Sequence, residues 1–92
     1  MIADFEARAL EVVRSIPPGH VMSYGEVADE AGSPRAARAV GNLLRTTVEE
    51  CPWWRVVGWD GRLRAPDTDR QAELLTSEGV AMRNGKAILR PC

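Results

Sequence analysis

The chain is poor in the residues that build metal sites and nucleophilic centres: among its 92 residues there is one histidine, His20, and two cysteines, Cys51 and Cys92. Two cysteines are too few for a disulfide scaffold, and no Cys/His cluster with zinc spacing exists, so a reducing compartment and no structural metal are expected. No apolar run approaches the roughly 20 residues of a membrane span. The N-terminus MIADFEARALEVVRSI mixes acids with apolar residues, where a signal peptide carries a basic patch followed by an unbroken apolar stretch. A cytoplasmic protein with no membrane association is therefore expected. There is no Gly-rich phosphate loop and no paired-carboxylate pattern, so the ordinary enzyme classes find no candidate site and no cofactor is implied. What remains is 45% apolar and 27% charged, the composition of one globular domain over residues 1–92, expected as a monomer.

Lysine is also scarce: eleven of the twelve basic residues are arginine, the residue suited to bidentate phosphate contacts and to stacking on bases. The formal net charge of -1 hides an uneven distribution. Residues 1–33 hold Arg8 and Arg14 against Asp4, Glu6, Glu11, Glu26, Asp29 and Glu30, a net of -4. Residues 34–64 hold six arginines (Arg35, Arg38, Arg45, Arg55, Arg62 and Arg64) against Glu49, Glu50 and Asp60, a net of +3. The last third balances. A phosphate backbone would be repelled by the first segment and attracted by the second, although a solvated basic surface would read the same way on charge alone.

Periodicity predicts four helices. Phe5, Ala9, Val12, Val13 and Ile16 form one apolar stripe over about residues 3–15, stopped by Pro17, Pro18 and Gly19. Ser23 and Glu26 form a capping box for a short second helix that ends at Gly32. Ser33 and Pro34 read as the N-cap and first-turn proline of a third, in which Ala37, Val40 and Leu44 share a face. Two short helices joined by a tight Gly-containing turn are the helix-turn-helix unit. After a loop from Thr46 to Pro52, WWRVVGWDGRLR has the composition of a strand bent at Asp60-Gly61. Thr68 and Gln71 read as the cap of a fourth helix ending at Gly79, and Asn84-Gly85 marks a terminal hairpin.

Candidate chemistry is confined to a few side chains. His20 reads as a loop residue, Cys51 as a half-buried thiol in acidic company, and Cys92 as a frayed terminus. The dense tryptophans are harder to place. Core filling suits Trp59 poorly, next to a polar turn, and adjacent Trp53 and Trp54 would point to opposite sides of a strand. At least one is expected to line a groove beside Arg38, Arg55 or Arg64, an arrangement that fits a flat unsaturated ligand such as a nucleobase.

These segments resemble a known family. SYGEVA (23–28), GSPRAARAVGNLLR (32–45), PWWRVVG (52–58) and LLTSEG (74–79), in that order, are similar to the C-terminal DNA-binding domain of the O6-alkylguanine DNA alkyltransferases, and more specifically to the alkyltransferase-like proteins. The resemblance implies a mainly α fold with small β elements, a winged-helix-like helix-turn-helix DNA-binding domain. In the enzymes the motif reads Pro-Cys-His-Arg, and the cysteine takes the alkyl group while the histidine, through water and a distal glutamate, removes its proton. Here the two positions are Trp53 and Trp54, and Glu78 matches the glutamate. The alkyltransferase-like proteins commonly keep the histidine, so Trp54 departs from their pattern. The implied function is binding of O6-alkylguanine in duplex DNA, by minor-groove insertion and nucleotide flipping, without alkyl transfer. Handover to nucleotide excision repair proteins follows from the same likeness.

Residue by residue, the resemblance assigns Arg38 to the finger that fills the vacated base stack and Tyr24 to the rotation of the nucleotide. Ala36, Ala37 and Gly41 match the close approach to the groove. Tyr24, Trp53, Trp54 and Arg64 would form the lesion pocket, with Arg64 facing the base or a phosphate. Two other readings stand beside this one: a sequence-specific helix-turn-helix regulator, with Trp53 and Trp54 in its core, and an enzyme in which Cys51 accepts the alkyl group after a register change.

Overall fold

A computed structural model describes residues 2–88, so the expectation for Cys92 lies outside the described residues. The first helix, α1, spans Ile2–Arg14 and buries Ala9, Leu10 and Val13. Ile16 follows it into the core, while Phe5 and Val12 are half-buried against the same cluster. A two-residue strand β1, Met22–Ser23, runs directly into α2, Tyr24–Glu30. Ser23 thus does two jobs. It pairs with Val57 in the sheet, and its hydroxyl accepts from the Glu26 amide while the Glu26 carboxylate accepts from the Ser23 amide. The expected capping box is formed, and it fixes Tyr24 at the junction of strand and helix.

The third helix, α3, spans Ala37–Thr46. It starts later than Ser33 and Pro34 led one to expect, because a separate turn over residues 33–36 intervenes, closed by the Ala36 amide donating to the Ser33 carbonyl. The Ser33 amide donates to Ala28 and that of Gly32 to Asp29, the paired bonds that terminate a helix through a left-handed glycine (φ 90°). The chain then needs one further turn before α3, whose N-cap, Ala36, makes no side-chain capping bond. Val40 and Leu43 face the core, and Leu44 is only half-buried.

The expected strand around the tryptophans is reduced to β2, Val56–Val57, pairing in parallel with β1. Before it, Trp53–Arg55 form a single 3-10 turn, initiated by Pro52, whose carbonyl accepts from the Arg55 amide. Beyond it, Gly58 to Arg62 closes a tight loop: the Gly61 amide donates to Gly58 and the Gly58 amide to Arg62. Gly61 has φ 87°, and a Cβ there would run into the Ala87 carbonyl. This is a three-residue hairpin loop that ends in a left-handed glycine.

The fourth helix, α4, spans Thr68–Ser77, and its cap is Asp67, whose carboxylate accepts from the Arg70 amide; the expected Thr68–Gln71 cap is one residue out of place. Gln71 is instead fully buried. Its amide nitrogen donates to the Trp54 and Val56 carbonyls, fastening α4 to the 3-10 turn. Strands β3 (Met82–Arg83) and β4 (Lys86–Ala87) form the expected hairpin, with Asn84 and Gly85 both at positive φ. Together the pieces make a mainly α, helix-turn-helix fold with small strands. Among the described residues no helix is long and apolar enough to cross a membrane.

Candidate nucleic-acid interface and its cleft

A cleft of about 750 Å³ opens between α3 and the segment from Cys51 to Asp67. One side is helical: Tyr24 from the head of α2, then Ala37, Arg38, Gly41, Leu44 and Arg45 along α3. The other side carries Cys51, Trp53, Trp59, Arg64 and Pro66. The geometry therefore brings together Tyr24, Ala37, Arg38, Gly41, Trp53 and Arg64 from the residues singled out in the sequence. Ala36 packs against the main core beside the cleft.

Trp54 does not line this cleft, contrary to its expected place in a pocket. The 3-10 turn swings consecutive side chains apart by less than the half-turn of a strand, and the two indoles meet edge to face, 5.8 Å between centroids and 89° between planes. Trp53 faces the cleft, whereas Trp54 packs on the second apolar cluster of Val57, Leu75, Val80 and Ala87. Its Nε1–H donates to Glu78 Oε2 at 3.0 Å, and the Arg55 guanidinium lies 5.3 Å from its ring centroid. Arg55 grips the same carboxylate with two bonds, 3.0 Å from Nε and 2.6 Å from Nη2, and donates from Nη1 to the Ile16 carbonyl at 2.8 Å. These donors, Arg55 foremost, hold the Glu78 carboxyl at about 2 against burial, which acts the other way.

The electrostatics of the cleft are positive. Arg38, Arg45 and Arg64 have no ion-pair partner among the described residues, while the acids that border it are engaged: Glu49 with Arg14, and Asp67 as the α4 cap. Arg45 donates to the Asn42 side chain. Burial raises the Tyr24 hydroxyl above its ordinary value, with Arg64 and Arg45 acting against it, so the phenol stays protonated as a hydrogen-bond donor. Burial likewise pushes the Cys51 thiol up, opposed by Arg14 and reinforced by Glu49.

Arg45, Trp59 and Cys51 line the cleft but were not among the residues selected for the lesion pocket from sequence. Arg45 stands seven positions after Arg38, two helical turns along one face, a spacing legible in the sequence. Trp59 stood out only as a poor fit to a core. Cys51 carried no positional signal, because its approach to the cleft depends on the path of the loop before Pro52.

Two short helices at a tight turn, with an exposed arginine at the head of the second and an arginine-lined cleft beside it, define a helix-turn-helix domain built for nucleic acid. Residues 4–80 match the family model of the 6-O-methylguanine DNA methyltransferase DNA-binding domain, and the chain belongs to that family. Among curated relatives, a DNA base-flipping protein of Escherichia coli K12 is 48% identical over 80 residues, covering 83% of this chain and 62% of that protein. The chain thus matches less than two thirds of that relative's length. A DNA base-flipping protein of Vibrio parahaemolyticus is 40% identical over 91 residues, covering 94% of this chain and 91% of the relative. The crystal structure of S. pombe Atl1 in complex with damaged DNA containing O6-carboxymethylguanine superposes with a TM-score of 0.85 at 30% identity, covering 98% of this chain and 92% of that one. Mycobacterium tuberculosis O6-methylguanine methyltransferase superposes at 0.72 with 38% identity, over 82% of this chain and 48% of that one.

Proposed function

We propose that the protein docks α3 in the minor groove of duplex DNA, rotates an O6-alkylated guanine out of the stack into the cleft, and holds it without removing the alkyl group. One observation carries the last clause: the cleft wall presents the Trp53 indole, and no imidazole lines it to activate a neighbouring nucleophile. An indole offers an N–H donor and an aromatic face but no nucleophile for alkyl transfer at neutral pH. The Cys51 thiol is in the cleft, but burial holds it in the protonated form. The base-flipping names of the E. coli and V. parahaemolyticus relatives, and the damaged DNA bound by Atl1, support the binding half of this reading.

Arg38 is exposed at the start of α3, where its side chain can enter the base stack and fill the space left by the extruded nucleotide. The protonated Tyr24 hydroxyl between arginines suits a phosphate oxygen. Ala36 and Ala37 keep the head of α3 low. Gly41 supports the same reading by an independent route. A Cβ there would meet the Tyr24 ring at 3.9 Å, an ordinary contact, so the fold itself does not demand glycine. Mid-helix glycine costs about 0.5–1 kcal/mol relative to alanine, and a close approach by DNA accounts for keeping it. A protein that binds a lesion and leaves it intact needs a second system to resolve the complex, and nucleotide excision repair proteins are the partners this reading assigns.

The test is incubation with a duplex carrying one O6-methylguanine. Binding tighter than to the unmodified duplex, no methyl mass gained by the protein and an intact lesion are expected. A stoichiometric mass increase mapping to Cys51 would overturn the non-enzymatic reading, and equal affinity for the two duplexes would favour an ordinary sequence-reading regulator.

A further inference from the structure

The cleft is large for what the proposed function puts in it. About 750 Å³ lies well within the roughly 300–1,000 Å³ range of pockets that enclose whole drug-sized ligands, and a guanine with a methyl group is a fraction of that size. The outer part of the cleft is bordered by Trp59, which leaves 81% of its surface exposed.

Nothing among the described residues explains this tryptophan. It occupies the first central position of the turn from Gly58 to Gly61, a place compatible with most residues. Neither apolar cluster contains it. The loop beneath it, by contrast, is fixed. Gly58 and Arg62 are joined by a backbone bond of 2.8 Å, the Asp60 carboxylate accepts from the Arg62 amide at 3.1 Å, and Gly61 is wedged against Ala87. Beside it the Arg64 guanidinium folds over Gly58, so close that a Cβ at Gly58 would lie 2.8 Å from Arg64 Nε. Singly exposed apolar residues are ordinary on protein surfaces, and Val48, 96% exposed outside the cleft lining, is one. Trp59 differs by bordering the cavity, together with Trp53 and Arg64, on a rigid turn.

We propose that Trp59 is a specificity-determining residue: its exposed indole is a stacking face for an aromatic group carried on the extruded base, so that the protein ranks O6 adducts by aromaticity as well as by size. This rests on the lesion-binding reading above and adds a residue and a selection rule to it. An aromatic group set against a tryptophan gains more than its buried area accounts for, by about 3- to 10-fold in affinity. A saturated ring of the same size fills the same space and forgoes most of that gain.

The experiment compares duplexes containing guanine, O6-methylguanine, O6-benzylguanine or O6-(cyclohexylmethyl)guanine by fluorescence anisotropy. The native protein is expected to bind the benzyl adduct about 3- to 10-fold more tightly than the cyclohexylmethyl adduct. In Trp59→Ala that ratio should fall to about one, and in Trp59→Phe most of it should remain. An unchanged ratio in Trp59→Ala would overturn the proposal. So would an equal loss of affinity for all four duplexes, which would make Trp59 a plain duplex contact. The methyl-to-guanine preference of the native protein tests the underlying reading separately: if that preference is present while the ring comparison ignores Trp59, only the role of Trp59 fails.

Discussion

Replacing Glu78 by glutamine isolates the charge on which the Trp54–Arg55 cluster is built. The carboxyl is held at about 2 against an ordinary value of 4.5, chiefly by the Arg55 hydrogen bonds. At about 1.36 kcal/mol per unit, this depression is equivalent to about 3 kcal/mol of stability at neutral pH. The pair exposes only 12% and 15% of its side chains, so solvent screening removes little of it. Against a total of about 5–15 kcal/mol for a small domain, this is a large share. The sign follows from the direction of the shift. A carboxyl depressed by folding stabilises fully above its unfolded value, and the stabilisation is lost as the pH falls from about 4.5 towards 2. Glu78→Gln keeps an acceptor for the Trp54 N–H but leaves Arg55 unpaired at every pH. Urea unfolding of the two proteins at pH 7, 4 and 3 should therefore show the native chain ahead by about 3 kcal/mol at pH 7 and by about 1 kcal/mol at pH 3. A gap that stays constant across this range would refute the charge argument and leave only neutral packing around Trp54.

Three further outcomes are expected. Arg38→Ala should weaken lesion binding strongly, while Arg62→Ala, in the exposed turn, should do less; equal losses that act only through salt dependence would reduce Arg38 to a phosphate contact. Gly41→Ala should raise the thermal midpoint, by an amount matching about 0.5–1 kcal/mol, and at the same time lower affinity for duplex DNA; a stabilised variant with native affinity would remove the close-approach argument. Trp53→Cys should transfer alkyl groups barely if at all, and Trp53→Cys combined with Trp54→His should transfer them measurably faster, as read by protein mass after incubation with O6-methylguanine duplex.

What was legible in the sequence was local. The Ser23–Glu26 box, the Gly32 and Gly79 terminators and the Asn84-Gly85 turn depend on residues a few positions apart, and each is formed in the structure. The errors fall where a residue is claimed by something distant. Gln71 looks like the far end of a cap but is drawn inward to the carbonyls of Trp54 and Val56, some fifteen residues earlier in the chain. Ser33 looks like an N-cap, but a separate turn over residues 33–36 intervenes before α3. The WWRVV segment looks like a strand because its composition is that of a strand, yet Pro52 and the two-residue partner β1 leave room for only Val56–Val57 to pair. Of the pocket residues, Trp54 was misplaced because the family resemblance set it in the pocket beside Trp53, whereas the 3-10 turn leaves only Trp53 in the cleft and packs Trp54 on the second apolar cluster.

That misplacement bears on how the site works. Read as a relay, Trp54 and Glu78 are the remnants of proton chemistry, with nothing left to move. In the fold they do something else. The Trp54 N–H, both Arg55 bonds and the Gly19 amide converge on one carboxylate at the end of α4, and Arg55 also reaches the Ile16 carbonyl after α1. The turn that carries Trp53 into the cleft is thereby tied to two distant segments of the chain. A base-holding site gains from a rigid wall, because every side chain still free to move before binding must be ordered when the base arrives. Trp54 has the apolar body to pack on Leu75 and Val80 and the single donor to complete the shell around Glu78. It follows that Trp54→His trades packing for a titratable donor, and that any transfer activity gained by the double variant comes with a looser wall behind position 53.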